Sequence, residues 1–302
     1  MSTILSQINQ LRKQKRAVIL AHTYQPAEIQ KVADFTGDSY GLSVKAAQLQ
    51  EAELIVFCGV RFMAETAAIL NPAKKVIMPD ADAGCPMAEM ITGEQLRQFK
   101  AEHPGAPVVC YVNSTAEVKA ESDICCTSSN ALKVVRSLGD VPEILFVPDQ
   151  YLGRFVQKAL GRKMVLWNGC CPIHRELEPQ SITEARKKHP GAKVLVHPET
   201  RPETQQYADY VLSTGQMIDL VRGSSGKSWI VGTEQGIVHA LQEAAPEDTF
   251  YPIQPPLVCA DMKKTTLKKL LAALENEGPQ ITVPGDVAAK AYRAITAMLN
   301  CH

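Results

Sequence analysis

The sequence predicts an α/β fold: three similar α/β units, each with a parallel sheet, set in a pseudo-threefold arrangement around a common centre. Two observations carry that expectation. Short apolar, β-rich runs alternate with helical stretches along the whole chain, the pattern of strands covered on both faces by helices. The same landmarks also recur at one spacing of about 86 residues, longer than the roughly 20–50 residues of a solenoid repeat and long enough for a small domain.

The predicted strands are 17–21, 54–58, 108–112, 144–147, 164–167, 194–196 and 229–231. Ahead of the first, Ile4, Leu5, Ile8 and Leu11 fall at helical spacing within residues 1–14. That reads as an amphipathic helix and not as the unbroken apolar run of a signal peptide. His103-Pro104-Gly105-Ala106 precedes the third strand, and His189-Pro190-Gly191-Ala192 precedes the sixth, 86 residues later. Each tetrapeptide ends a helix whose start carries a capping-box pattern, Thr92 with Gln95 and Ser181 with Glu184. Asp34, Asp123 and Asp209, at offsets of 89 and 86, each stand five residues before a hydroxyl: Ser39, Ser128 and Thr214. Cys85, Cys171 and Cys259, 86 and 88 apart, close the units. The expected units are therefore 1–86, 87–172 and 173–260, followed by an extension, 261–302, whose helices (267–275 and 287–299) pack on the first unit.

Composition narrows the partners. Lys plus Arg equals Asp plus Glu, 32 each among 302 residues, so no net field gathers nucleic acid or an anionic membrane. No segment approaches transmembrane length. Nine cysteines are too few for a disulfide scaffold in a chain this long, and the odd count points to reduced thiols or metal ligation in the cytoplasm. A small-molecule partner is expected.

If three equivalent units surround an axis, Cys85, Cys171 and Cys259 can meet there. Three thiolates on a four-iron cluster leave one iron open as a Lewis acid, and zinc with three cysteines and water is the rival occupant. Cys58 and Cys110 lie inside apolar strands and read as core, and Cys301 as part of a fraying terminus. Cys125, Cys126 and Cys170 stay ambiguous, since a one-residue slip would bring Cys170 to the axis. Ser39, Ser128 and Thr214 precede helices, where a hydroxyl and free backbone amides hold a carboxylate or phosphate; taken singly, each reads equally as a helix cap. The first strands end in His22-Thr23-Tyr24, Tyr111-Val112-Asn113 and His197-Pro198-Glu199, groups suited to proton transfer. His174 follows Cys171 by three residues and is placed to bind substrate or to bond near the ligand. Glu65 and Glu234 read as helix-start carboxylates outside the site.

These residues resemble the quinolinate synthase family over essentially the full chain. The resemblance rests on Ala21-His22-Thr23-Tyr24-Gln25, Gly37-Asp38-Ser39, Phe62-Met63-Ala64-Glu65-Thr66, Gly84-Cys85-Pro86-Met87-Ala88, Tyr111-Val112-Asn113 and Cys126-Thr127-Ser128-Ser129-Asn130-Ala131. Trp167-Asn168-Gly169-Cys170-Cys171-Pro172-Ile173-His174, His197-Pro198-Glu199, Gly232-Thr233-Glu234-Gln235-Gly236 and Val258-Cys259-Ala260-Asp261-Met262-Lys263 continue it. The resemblance implies a 4Fe-4S cluster on Cys85, Cys171 and Cys259. It implies that iminoaspartate, supplied by an aspartate-oxidising enzyme with which transient contact is expected, condenses with dihydroxyacetone phosphate to give quinolinate, a precursor of NAD. It further implies that His22, Ser39, Asn113, Ser128, His174, His197 and Thr214 bind substrate, and that Tyr24, Tyr111 and Glu199 assist proton transfer, the last two also touching substrate. Thr23 stands where the family more often has Asn, and Cys170 where an aromatic is commoner. The close carboxy-terminal cysteine cluster of some longer members is lacking. Another three-cysteine hydro-lyase, or a non-catalytic cluster sensor, is the alternative reading of the cysteines.

Overall fold

The computed structural model describes residues 2–301; Met1 and His302, which the first and last expected segments include, lie outside the described residues. Three four-stranded sheets form the frame. The first holds β1 (Ala17–His22), β2 (Phe35–Gly37), β3 (Leu54–Cys58) and β4 (Lys75–Ile77). The second holds β5 (Val108–Tyr111), β6 (Ile124–Cys126), β7 (Ile144–Val147) and β8 (Met164–Leu166). The third holds β9 (Lys193–Val196), β10 (Tyr210–Val211), β11 (Ser228–Gly232) and β12 (Thr249–Pro252). Each has the order second, first, third, fourth strand, and all pairings are parallel. The chain is thus an α/β protein of three similar units. The strands missing from the expected runs, β2, β4, β6, β10 and β12, all lie at sheet edges and span two to four residues, too few for a hydrophobic period to show.

Alternate side chains leave opposite faces of each strand. Leu20, Ile55 and Phe57 point into a core shared with the second and third units. Ile19, Val56 and Cys58 point outward, under helices Ser2–Gln14 and Leu267–Asn276. Both faces of the sheet are therefore dry, as a parallel sheet requires. Cys110, Cys125 and Cys126 are likewise buried in the shared core, and Cys301 packs against it instead of fraying.

The repeated aspartates share one task. Oδ2 of Asp34, Asp123 and Asp209 accepts the backbone N–H of Ile19, Val108 and Val194 at 2.8, 2.7 and 2.8 Å. Their own N–H groups return to the carbonyls of the same three residues. Each aspartate thereby zips the start of an edge strand to the central one, and the hydroxyl five residues on lands at the next helix start. His103 and His189 end their helices, and Gly105 and Gly191 follow at φ +84° and +85°, the left-handed region that favours glycine. The Thr92–Gln95 capping box forms. The one expected at Ser181 does not, because Pro179 starts that helix earlier, with Glu178 at its N-cap, and proline suits the first helical position.

The extension divides in two. Helix Leu267–Asn276 covers the first unit beside Ser2–Gln14, whereas helix Gly285–Leu299 lies chiefly against helix Ala116–Ala120 and β6 of the second. Its Ala291, Ala294, Ile295 and Met298 join the shared core, so apolar matching draws it there and away from the expected first-unit face.

Candidate active site

The carboxyl ends of β1, β5 and β9 meet at one cavity. His22, Tyr24, Ser39 and Cys85 reach it from the first unit; Tyr111, Asn113, Ser128 and Cys171 from the second; His174, His197, Glu199, Thr214 and Cys259 from the third. Every residue expected at the site from the sequence thus lines the same space.

Burial pushes the Cys85 thiol up to about 12, with a further contribution from the neighbouring Cys259 sulfur. Burial raises Cys171 and Cys259 as well. Backbone N–H groups three residues on, at Ala88, His174 and Met262, turn toward the three sulfurs and partly oppose that rise. Three half-buried thiols that ionise only with help are a donor set suited to a cation. Cys170 faces elsewhere: it is 6 % exposed and its N–H meets Met90 Sδ at 3.3 Å.

Beside Cys171 runs a hydrogen-bonded chain of five side chains, with His174 Nδ1 3.3 Å from Cys171 Sγ. Tyr24 Oη lies 2.8 Å from Thr233 Oγ1. Thr233 Oγ1 lies 2.7 Å from His174 Nε2, and His174 Nδ1 lies 2.7 Å from Glu199 Oε2. Tyr111 Oη donates to Glu199 Oε1 at 2.6 Å. Burial opposes ionisation of Glu199, but the adjacent His197, His174 and Tyr111 more than offset it and hold the carboxyl at about 2. An ionised Glu199 must receive protons from both sides. His174 therefore donates to it through Nδ1 and Tyr111 through its hydroxyl, while Thr214 Oγ1 lies 2.9 Å behind Tyr24 Oη. Burial and the charge of Glu199 raise both tyrosine hydroxyls well above the ordinary value. Cys171 Sγ, a His174 nitrogen and a Glu199 oxygen all fall within 4.8 Å of one another, a spacing that also suits a metal ion.

His22 and His197 are held neutral. Burial, aided by Lys263, lowers His22 to about 3, and burial lowers His197 to about 3. His22 Nδ1 accepts the Tyr24 N–H at 3.1 Å, which leaves its Nε2 as the protonated nitrogen. His197 Nδ1 accepts the Glu199 N–H, so its Nε2 donates to Ser128 Oγ at 3.1 Å. Asn113 lines the cavity, and its Oδ1 is buried without a hydrogen-bond partner. A polar seam joins the units beside it: Ser129 Oγ meets Asp38 Oδ2 at 2.6 Å and Ser213 Oγ at 2.8 Å.

Sequence reasoning passed over Thr233 and set Glu234 aside. Glu234 lines the cavity and is 1 % exposed. The available signal was position, the first and second residues after β11, matching those after β7. Glu65 stays off the cavity and accepts the Ala116 N–H at 3.1 Å, linking two helices.

Comparison with known proteins gives the family. The family model described as NadA, quinolinate synthetase A protein, matches residues 6–300. A quinolinate synthase of Dehalococcoides mccartyi (strain CBDB1) is 55 % identical over 297 residues, 98 % of either chain. That of Methanoregula boonei is 51 % identical over 293 residues, 97 % of this chain and 96 % of its own. That of Desulforudis audaxviator is 49 % identical over 296 residues, 98 % and 97 %. With three α/β units, one cavity between them and relatives this close over their full length, the chain belongs to the quinolinate synthase family of enzymes.

Proposed function

We propose that the chain condenses iminoaspartate with dihydroxyacetone phosphate to quinolinate, with loss of phosphate and two waters. This is a transferase-type step toward NAD in the cytoplasm, fed by an aspartate-oxidising enzyme through transient contact. The observation that carries the reading is the single cavity that collects three thiols from equivalent loops and, beside Cys171, the hydrogen-bonded chain from Tyr24 to Tyr111.

Cys85, Cys171 and Cys259 would hold a 4Fe-4S cluster, which when bound supplies an iron without a protein ligand as a Lewis acid for dehydration. The donor set suits it: three sulfurs, one from each unit, on one cavity. The lone-metal grouping of Cys171, His174 and Glu199 fits less well, because Glu199 already engages His174 Nδ1, the atom nearest the sulfur.

The remaining residues divide by chemistry. No lysine or arginine lines the cavity among the described residues, so anionic groups would be met by neutral donors. Ser39, Ser128 and Thr214 offer hydroxyls near helix starts, His22 offers Nε2–H, and Asn113 and His197 complete the grip on a dicarboxylate and a phosphate ester. Tyr24, Tyr111 and Glu199 stand at the two ends and the sink of one proton path, where a hydroxyl or carbonyl of substrate gains or loses a proton. The test is protein isolated without oxygen. About four irons and four sulfides per chain, with quinolinate formed from the two substrates, is the expected result. A colourless protein carrying zinc would overturn it.

A further inference from the structure

The residue two positions beyond the central strand pair's outer member, β3, β7 or β11, is equivalent in the three units: Val60, Asp149 and Glu234. In two of them it is a carboxyl group buried almost completely, at 0 % and 1 % exposure. Asp149 Oδ1 accepts the Leu152 N–H at 2.7 Å, an ordinary helix cap. Its second oxygen does something a cap does not need: it accepts the backbone N–H of Cys171, 22 residues on, at 3.1 Å. Glu234 repeats the arrangement. Oε2 takes the Gly236 N–H at 2.7 Å, and Oε1 takes the N–H of Cys259, 25 residues on, at 3.2 Å. Lys263 Nζ lies 2.8 Å from the same oxygen and also donates to the Tyr24 carbonyl, so the third cysteine is tied to the loop that presents Tyr24.

We propose that Asp149 and Glu234 are positioning residues: by accepting the backbone N–H of Cys171 and Cys259, they fix two of the three thiols toward the centre and set how firmly the metal group is kept. The inference rests on the cluster reading above. Cys85 gets no such hold, since Val60 has no side-chain acceptor to offer.

The test times loss of cluster absorbance when protein isolated without oxygen is challenged with an iron(II) chelator. Asp149→Asn and Glu234→Gln each replace an accepting oxygen by an NH2 group, so one of the two amides must lose its acceptor. Both variants should carry full iron at isolation and lose it about 10- to 100-fold faster, the usual effect of removing a partner behind a metal ligand. Asp248→Asn is the control: Asp248 is buried in the third unit, holds Lys227 N and Trp229 Nε1 at 3.0 and 2.7 Å, and touches no cysteine. It should lower the urea midpoint yet keep the unaltered rate of iron loss. If either site variant fails to fold, Lys263→Met decides, because that side chain is 24 % exposed and its loss removes the cation from Glu234 Oε1 and the bond to the Tyr24 carbonyl while leaving Glu234 itself in place. Faster iron loss there supports the inference. Iron loss at the control's rate in the variants, from protein that holds full iron, overturns the positioning role alone; unaltered protein without iron overturns the cluster reading beneath it.

Discussion

Replacing Thr233 by Val keeps a branched side chain of the same shape and removes the one hydroxyl that joins Tyr24 to His174. Thr233 is 1 % exposed, and its Oγ1 makes bonds of 2.8 and 2.7 Å. After the change Tyr24 still reaches Thr214 at 2.9 Å, but His174 Nε2 faces a methyl group. One net hydrogen bond lost costs about 1 kcal/mol and a buried acceptor left unpaired about 1–3 more. The expected loss of stability is therefore about 2–4 kcal/mol, a large part of the roughly 5–15 that a domain has. Urea unfolding at unchanged slope reads that loss directly. Turnover should fall by about 100-fold, the usual weight of a positioned proton donor or acceptor. Affinity for the phosphate ester should move little, since Thr233 does not line the cavity. Full turnover with a stability change below about 0.5 kcal/mol, the range of an indifferent substitution, would refute the continuous path.

Cys171→Ala should leave protein unable to hold its cluster, whereas Cys170→Ala keeps cluster and activity at a cost of about 1–2 kcal/mol; iron and sulfide per chain decide, and the reverse pattern would move the ligand by one residue. Ser128→Ala should weaken substrate binding by about 1–3 kcal/mol with iron content unchanged, measured by titration calorimetry; lost iron with intact affinity would make the hydroxyl structural. His22 and His197, held by burial at about 3 against 6.5 unfolded, leave the unfolded state with more bound protons between those values. Stability should be full above about pH 6.5 and fall on acidification toward 3, by about 2.7 kcal/mol per pH unit from the pair. His22→Asn should halve their share of that slope, and an unchanged slope would show that His22 does not stay neutral on folding.

What could be read in advance followed from local chemistry. The strands β1, β3, β5, β7, β9 and β11 are rich in Val, Ile and Leu, and burial on both faces makes such runs visible wherever they occur. The cysteines showed themselves by period, because equivalent loops of equivalent units fall at equal spacing. The partners of those groups did not. Thr233 belongs to the site only because His174, 59 residues earlier, and Tyr24, 209 residues earlier, are folded against it. Glu234 looks like any helix-start carboxylate until Cys259 is seen to donate to it. Ser181 fits a capping pattern, yet Pro179 places the helix start elsewhere. In each case one residue's sequence context is ordinary and its role is set by a segment far away in the chain.

The seam of Asp38, Ser129 and Ser213 bears on how the protein comes apart. A hydroxyl carries one proton, so Ser129 donates to Asp38 and must accept from Ser213, whose own oxygen accepts the Gln216 N–H. The three residues sit one on each sheet's crevice, and moving any unit alone would strand a buried donor or acceptor. A tandem array of independent units melts stepwise from its ends. Here the seam and the shared core make partial opening costly for all three units at once, so amide exchange around residues 38, 129 and 213 should proceed only through global unfolding, as one cooperative unit.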